Sequence, residues 1–130
     1  MSTSKAIQMI LARQLASCLA MPILLVDAQG TLIFYNEPAE ELINQRFEET
    51  GEIAAEDWNR LVTIADEDRV PLPPDERPMA AVLLHRQPVS RRIWTRRGEG
   101  PWRQIQVTAF PLVGEGAQLL GAVNMFWEVK

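Results

Sequence analysis

A chain of 130 residues with 47% hydrophobic and 23% charged side chains is long enough for one domain around one core, and too apolar for wholesale disorder. Its one cysteine, Cys18, excludes an internal disulfide and a multi-cysteine metal site, and its one histidine, His85, excludes a histidine-rich metal cluster. No apolar run reaches the ~18 residues of a membrane span, and the first residues lack the pattern of a signal peptide, so a reducing, cytoplasmic setting is expected.

The net charge of −4 is unevenly spread. Residues 37 to 76 carry thirteen carboxylates and three arginines, whereas residues 77 to 103 carry seven arginines and one glutamate. The expected result is two solvated faces that attract each other weakly, within the domain or across a dimer. The acidic half would repel phosphate, which argues against nucleic acid.

Residues 4 to 20 contain neither Gly nor Pro, and Ile7, Ile10, Leu11, Leu15, Cys18 and Leu19 recur at helical spacing. The spacing predicts an amphipathic helix over residues 1 to 20, with Ser4 as N-cap. Its stripe of Ile7, Leu11, Leu15 and Cys18 needs an apolar surface, either the outside of its own sheet or the same helix of a second chain. Two short apolar runs then flank Asp27-Ala28-Gln29-Gly30, which reads as a hairpin, and Asn36 is placed to cap a helix over residues 37 to 44. Ala54 to Ala65 is expected to be helical through Trp58, Leu61, Val62 and Ile64. Asp66 to Pro74 holds Pro71, Pro73 and Pro74 and is a loop. Pro78 suits the first turn of a helix running to about Arg86. Three strands follow, Val89 to Arg96, Trp102 to Phe110 and Gln118 to Val129, joined by glycine-containing turns.

The stretch MPILLVDAQGTLIFYNEPAEEL, with its strand, D-x-x-G turn, strand, Asn and helix, resembles the opening of a PAS domain, a sensory fold of bacterial signalling proteins. PMAAVLLHRQPV resembles that family's connecting helix, WRQIQVTAFPL its fourth strand and LLGAVNMFWEV its fifth, so the likeness covers about residues 20 to 129. The fold class implied is α+β, a PAS-like five-stranded antiparallel sheet with short helices on one face and an N-terminal amphipathic helix. The division implied is an N-terminal capping or dimerisation helix over 1 to 20 and a PAS-like domain over 21 to 130. Many members close the last strand with Asp-Ile-Thr, where this chain has Glu128-Val129-Lys130. That departure implies either a stand-alone domain or a segment of a longer protein with an output domain.

The resemblance places a ligand between the sheet and the helices, and strand alternation nominates the side chains that reach it. These are Leu24 and Val26, Arg91 and Ile93, Ile105 and Val107, and Asn124 and Phe126, with Thr95 inward beside them. Asn124 reads either as a buried amide bonded to backbone or water, or as a ligand contact. Arg91 would need a partner inside, such as a ligand carboxylate. The outward row Val123, Met125 and Trp127 is the expected landing site for the N-terminal helix or a partner chain.

Some members of the family hold haem through a histidine near the connecting helix, where His85 falls, but a helix-terminal histidine beside Arg86 reads first as a surface residue. The flavin-type light sensors need a Gly-x-Asn-Cys-Arg-Phe-Leu-Gln helix, and Cys18 lies outside any such context. No cofactor is named by the sequence. No Ser/His/Asp constellation, phosphate loop or metal cluster is present, and no catalytic residue is assigned. The reading is a non-enzymatic sensory domain of a bacterial signal-transduction protein, as in two-component systems. It binds a small molecule or relays a conformational signal through a homodimer built on the N-terminal helix and the outer sheet face. A ligand-free dimerisation module is the alternative.

Overall fold

The structure, a computed structural model, describes residues 9–12, 14–15 and 20–129. The expectations for Ser4, Ile7, Cys18 and Leu19 lie outside the described residues. The chain opens with strands β1 (Ile23–Asp27) and β2 (Leu32–Tyr35), joined by the expected turn. Asp27 sets that turn, its Oδ1 accepting from the amides of Gln29 at 2.9 Å and Thr31 at 3.0 Å. Gly30 completes it at a φ of +88°, a conformation costly to a residue with a Cβ.

Helix α1 (Glu37–Ile43) starts where its cap predicts. Asn36 Oδ1 accepts from the amides of Ala39 at 3.3 Å and Ile23 at 2.9 Å, and Nδ2 donates to the Met21 carbonyl at 2.8 Å. One buried amide thus caps the helix and ties it to the start of β1. A single turn, α2 (Phe47–Thr50), wraps the sheet edge. Phe47 meets Phe34 and Tyr35 edge-to-face at centroid distances of 5.2 and 5.3 Å.

Helix α3 (Ala55–Leu61) corrects the expectation of a helix to Ala65. At Val62 the chain becomes strand β3 (Val62–Ala65), which pairs antiparallel with the end of a later strand, from Val62 against Arg97 to Ala65 against Trp94. The run Val62-Thr63-Ile64 is β-branched throughout, so its side chains fit a pleated surface better than a helix. The sheet therefore has six strands rather than five. Asp66 repeats the Asp27 device, accepting from the amides of Asp68 and Val70, with Arg69 in the glycine-like position at a φ of 62°. A helical turn at Pro74–Glu76 leads into α4 (Pro78–His85).

Strands β4 (Val89–Arg97), β5 (Arg103–Val113) and β6 (Leu119–Glu128) complete a sheet of order β2-β1-β6-β5-β4-β3, with every paired neighbour antiparallel. The last strand lies centrally between the first and the fifth, as the family resemblance implies. Register aligns Tyr35, Leu24, Asn124, Ala109 and Val89 in one row across five strands. That row faces the helices, and α4 crosses β4, β5 and β6.

The opposite face is apolar as well. Ile23, Leu25, Phe34 and Val123 are buried there, with Met125 and the helical residues Met9 and Ala12 packed on them. The N-terminal helical residues therefore dock on the outer face of their own sheet, on the cluster of Ile23, Leu25, Phe34 and Val123. Among the described residues the contact is made by Met9 and Ala12, while Leu11 and Leu15 of the expected stripe are 57% and 62% exposed. Trp127, expected under the helix, is 43% exposed. The ion pairs of the described residues, Arg46–Glu48, Arg60–Asp57, Arg96–Glu99 and Arg103–Glu128, do not join the acidic middle to the basic hairpin. The two attract at longer range, as where the Arg103 pKa, raised first by the Glu128 hydrogen bond, is raised further by Glu41.

Candidate functional site

Between the concave sheet face and the helices lies a cavity of about 300 Å³. Its floor is the alternation read from the strands, with Leu24 and Val26 from β1, Ile93 from β4, Ile105 and Val107 from β5, and Asn124 and Phe126 from β6. Seven of the eight candidate site residues therefore meet around one space. Arg91 does not. It pairs with Val107 and so shares the inward parity, but it stands half-buried and outside the cavity lining. Arg91 lies one inward position beyond Ile93 along β4, past the end of the cavity lining.

The other walls are residues that strand alternation does not nominate. Trp58 and Asn59 of α3, Met79 and Leu83 of α4, Leu42 of α1 and Ile64 of β3 close the sides, with Gln29 and Gly30 of the first turn and Asp75 at the approach to α4. Most of these surfaces are apolar, as suits a pocket for a small organic molecule, and the volume is at the small end of such pockets. His85 is exposed at the end of α4 and does not line the cavity.

Three buried polar groups stand out. Asn124 Oδ1 finds no hydrogen-bond partner in the protein, nor does Thr95 Oγ1, which faces inward as expected. Arg77, the residue before Pro78, is only 9% exposed and lines the cavity. Its Nη2 donates to the Asn59 carbonyl at 3.0 Å, tying α4 to α3, while Nε and Nη1 have no partner. Burial lowers its pKa from the ordinary guanidinium value, and no described carboxylate pairs with it to oppose that shift. The group stays charged at neutral pH. A signal for Arg77 did exist in the sequence. The residue preceding a helix-starting proline is an N-cap, where Ser, Thr, Asp or Asn is favoured and a cation opposes the helix dipole.

No protein-family model matches this sequence, and a search of curated protein sequences found no match. Solved structures do match. The PAS domain of Bordetella pertussis BvgS aligns with 95% of this chain and 86% of its own at a TM-score of 0.62 and 12% identity. The PAS domain of a protein from Colwellia psychrerythraea aligns over 94% of this chain and 97% of its own, at 0.63 and 17%. The chain has the PAS fold. The LOV domain of the blue-light activated histidine kinase EL346 of Erythrobacter litoralis is similar too, over 85% of this chain and 97% of its own, at 0.63 and 14% identity. At these identities the PAS likeness describes architecture. Among the described residues no group of three or more His, Cys, Asp or Glu is placed to hold a metal ion, and no helix is long and apolar enough to cross a membrane.

Proposed function

We propose that this PAS fold is a non-catalytic sensory domain of a cytoplasmic bacterial signalling protein, which takes a small molecule into the cavity and passes its occupancy to the N-terminal helix. The observation that carries the reading is the cavity itself. It lies over the central strands and is lined by buried polar atoms without protein partners, where a ligand-free core would close up on apolar side chains. The path out is short. Leu24 and Phe126 line the cavity, and on the same strands Ile23, Leu25, Val123 and Met125 face the cluster joined by Met9 and Ala12. A shift of β1 or β6 on binding therefore moves the helix seat.

The second half of the reading is a homodimer. Ile10, Leu11 and Leu15 are more than half exposed, and neither Leu11 nor Leu15 joins the cluster on the outer sheet face. The partner proposed for them is the same face of a second copy, since a two-fold contact buries the exposed apolar side chains of both chains against each other.

Amide hydrogen exchange tests the relay without knowledge of the ligand. Protein as purified is compared with protein unfolded, dialysed and refolded to strip small molecules. The reading expects faster exchange after stripping in β1, in β6 and in residues 9–15, and identical exchange in the two samples contradicts it.

A further inference from the structure

Arg77 occupies a position that the protein alone leaves electrostatically unfavourable. It is a buried cation without a carboxylate partner, and it sits at the positive pole of an eight-residue helix. No side chain caps that helix, Pro78 has no amide hydrogen, and the first backbone bond is from the Ala81 amide to the Arg77 carbonyl. The amides of Met79 and Ala80 thus precede the helical bonding pattern, and both residues line the same cavity as Arg77. A guanidinium with two unmet donor atoms beside an uncapped helix start is an arrangement that an anion satisfies.

We infer that the cavity takes a carboxylic acid with a small apolar body, its carboxylate held by Arg77 and the start of α4. The inference rests on the reading of the cavity as a ligand site. The rest of the lining selects within the anions. Leu24, Val107 and Phe126 offer no hydrogen bonds and suit an aliphatic or aryl body, which excludes a phosphate or a sugar acid as the best fit. Asp75 also lines the cavity, so a second negative charge is disfavoured. Asn124 has one unmet oxygen and meets a single polar substituent on the body.

The test is calorimetric titration of the full chain with hexanoate and phenylacetate, set against hexanamide and phenylacetamide, which keep the shape and remove the charge. Both acids are expected to bind at least tenfold more tightly than their amides. Arg77→Met is expected to abolish that preference while the ligand-free protein melts at the same temperature or higher, because an unpaired buried charge has been removed. Arg77→Lys keeps the charge but loses the planar fork, and is expected to retain a reduced preference. Equal binding of acids and amides overturns the anion inference and leaves the cavity as a ligand site. No binding of any of the four to protein stripped of small molecules overturns the carboxylic-acid inference, while the hydrogen-exchange comparison decides separately whether the cavity is a ligand site. A lower melting temperature for Arg77→Met, with acid affinity unchanged in Arg77→Lys, makes Arg77 a strut between α3 and α4 and overturns the assignment.

Discussion

Single residues in this domain act where two elements meet. Gly121 pairs with Asp27 across β1 and β6, and a Cβ placed on it would run into the Val26 carbonyl, with the Asp27 Cα at 3.1 Å. Backbone cannot yield there as a flexible side chain would, so Gly121→Ala is expected to cost about 1–3 kcal/mol of stability, read as a lower urea midpoint. Tyr35 is buried, with its hydroxyl 2.7 Å from Thr50 Oγ1 and donating to the Gln45 carbonyl at 3.1 Å. Burial raises its pKa, opposed by the Thr50 hydrogen bond and helped by Glu40 and Glu49. An acid whose folded pKa is raised keeps its proton in the folded state after the unfolded chain has lost it. The unfolded state then binds fewer protons, and stability falls as pH rises from about 10, the unperturbed tyrosine value, toward the folded one. Thermal unfolding across that range is expected to show an alkaline decline that is shallower in Tyr35→Phe. At Arg77 the sequence shows an unfavourable cation at a helix start but not its burial, which depends on how α3 and α4 pack over the cavity.

At the level of elements, strand alternation was legible and helix length was not. The period of two placed seven side chains around one cavity, since each strand that carries them has one face fixed by its neighbours. The failure at Arg91 came from the length of β4, which outruns the cavity. The missed strand β3 had β-branched residues that also fit a helical period, and only pairing with Arg97 to Trp94 decides between the two. For the N-terminal helix, spacing identified an apolar stripe but could not say which face sits on the sheet, because Met9 and Ala12 compete with Leu11 and Leu15 for that role. The exposed stripe yields a prediction at this scale. Burying Ile10, Leu11 and Leu15 contributes roughly 1.5–3 kcal/mol each, enough to favour association only if the copies fit closely. Leu11→Glu with Leu15→Glu is expected to convert a dimer to a folded monomer by light scattering, since neither side chain supports the sheet. A double variant that remains a dimer places the interface elsewhere.

Across the whole molecule, the fold separates two apolar surfaces with one sheet. The inner face encloses a cavity with unmet polar groups, and the outer face carries a helix, with Phe47 at the sheet edge packed against the clusters on both sides. Antiparallel order with a central last strand was readable from hairpins and family likeness. The cavity was not, since its volume depends on how far α3 and α4 stand off the sheet, a distance no sequence period encodes. A sensory role requires that this space be occupied in the cell. Native mass spectrometry of the purified protein measures that directly, beside Val107→Phe, which fills the floor with a larger side chain. A small-molecule adduct is expected on the parent, released on denaturation and absent from the variant. A parent that carries no adduct, with a Val107→Phe protein that is folded and equally stable, would contradict that role and leave a core that merely tolerates a void.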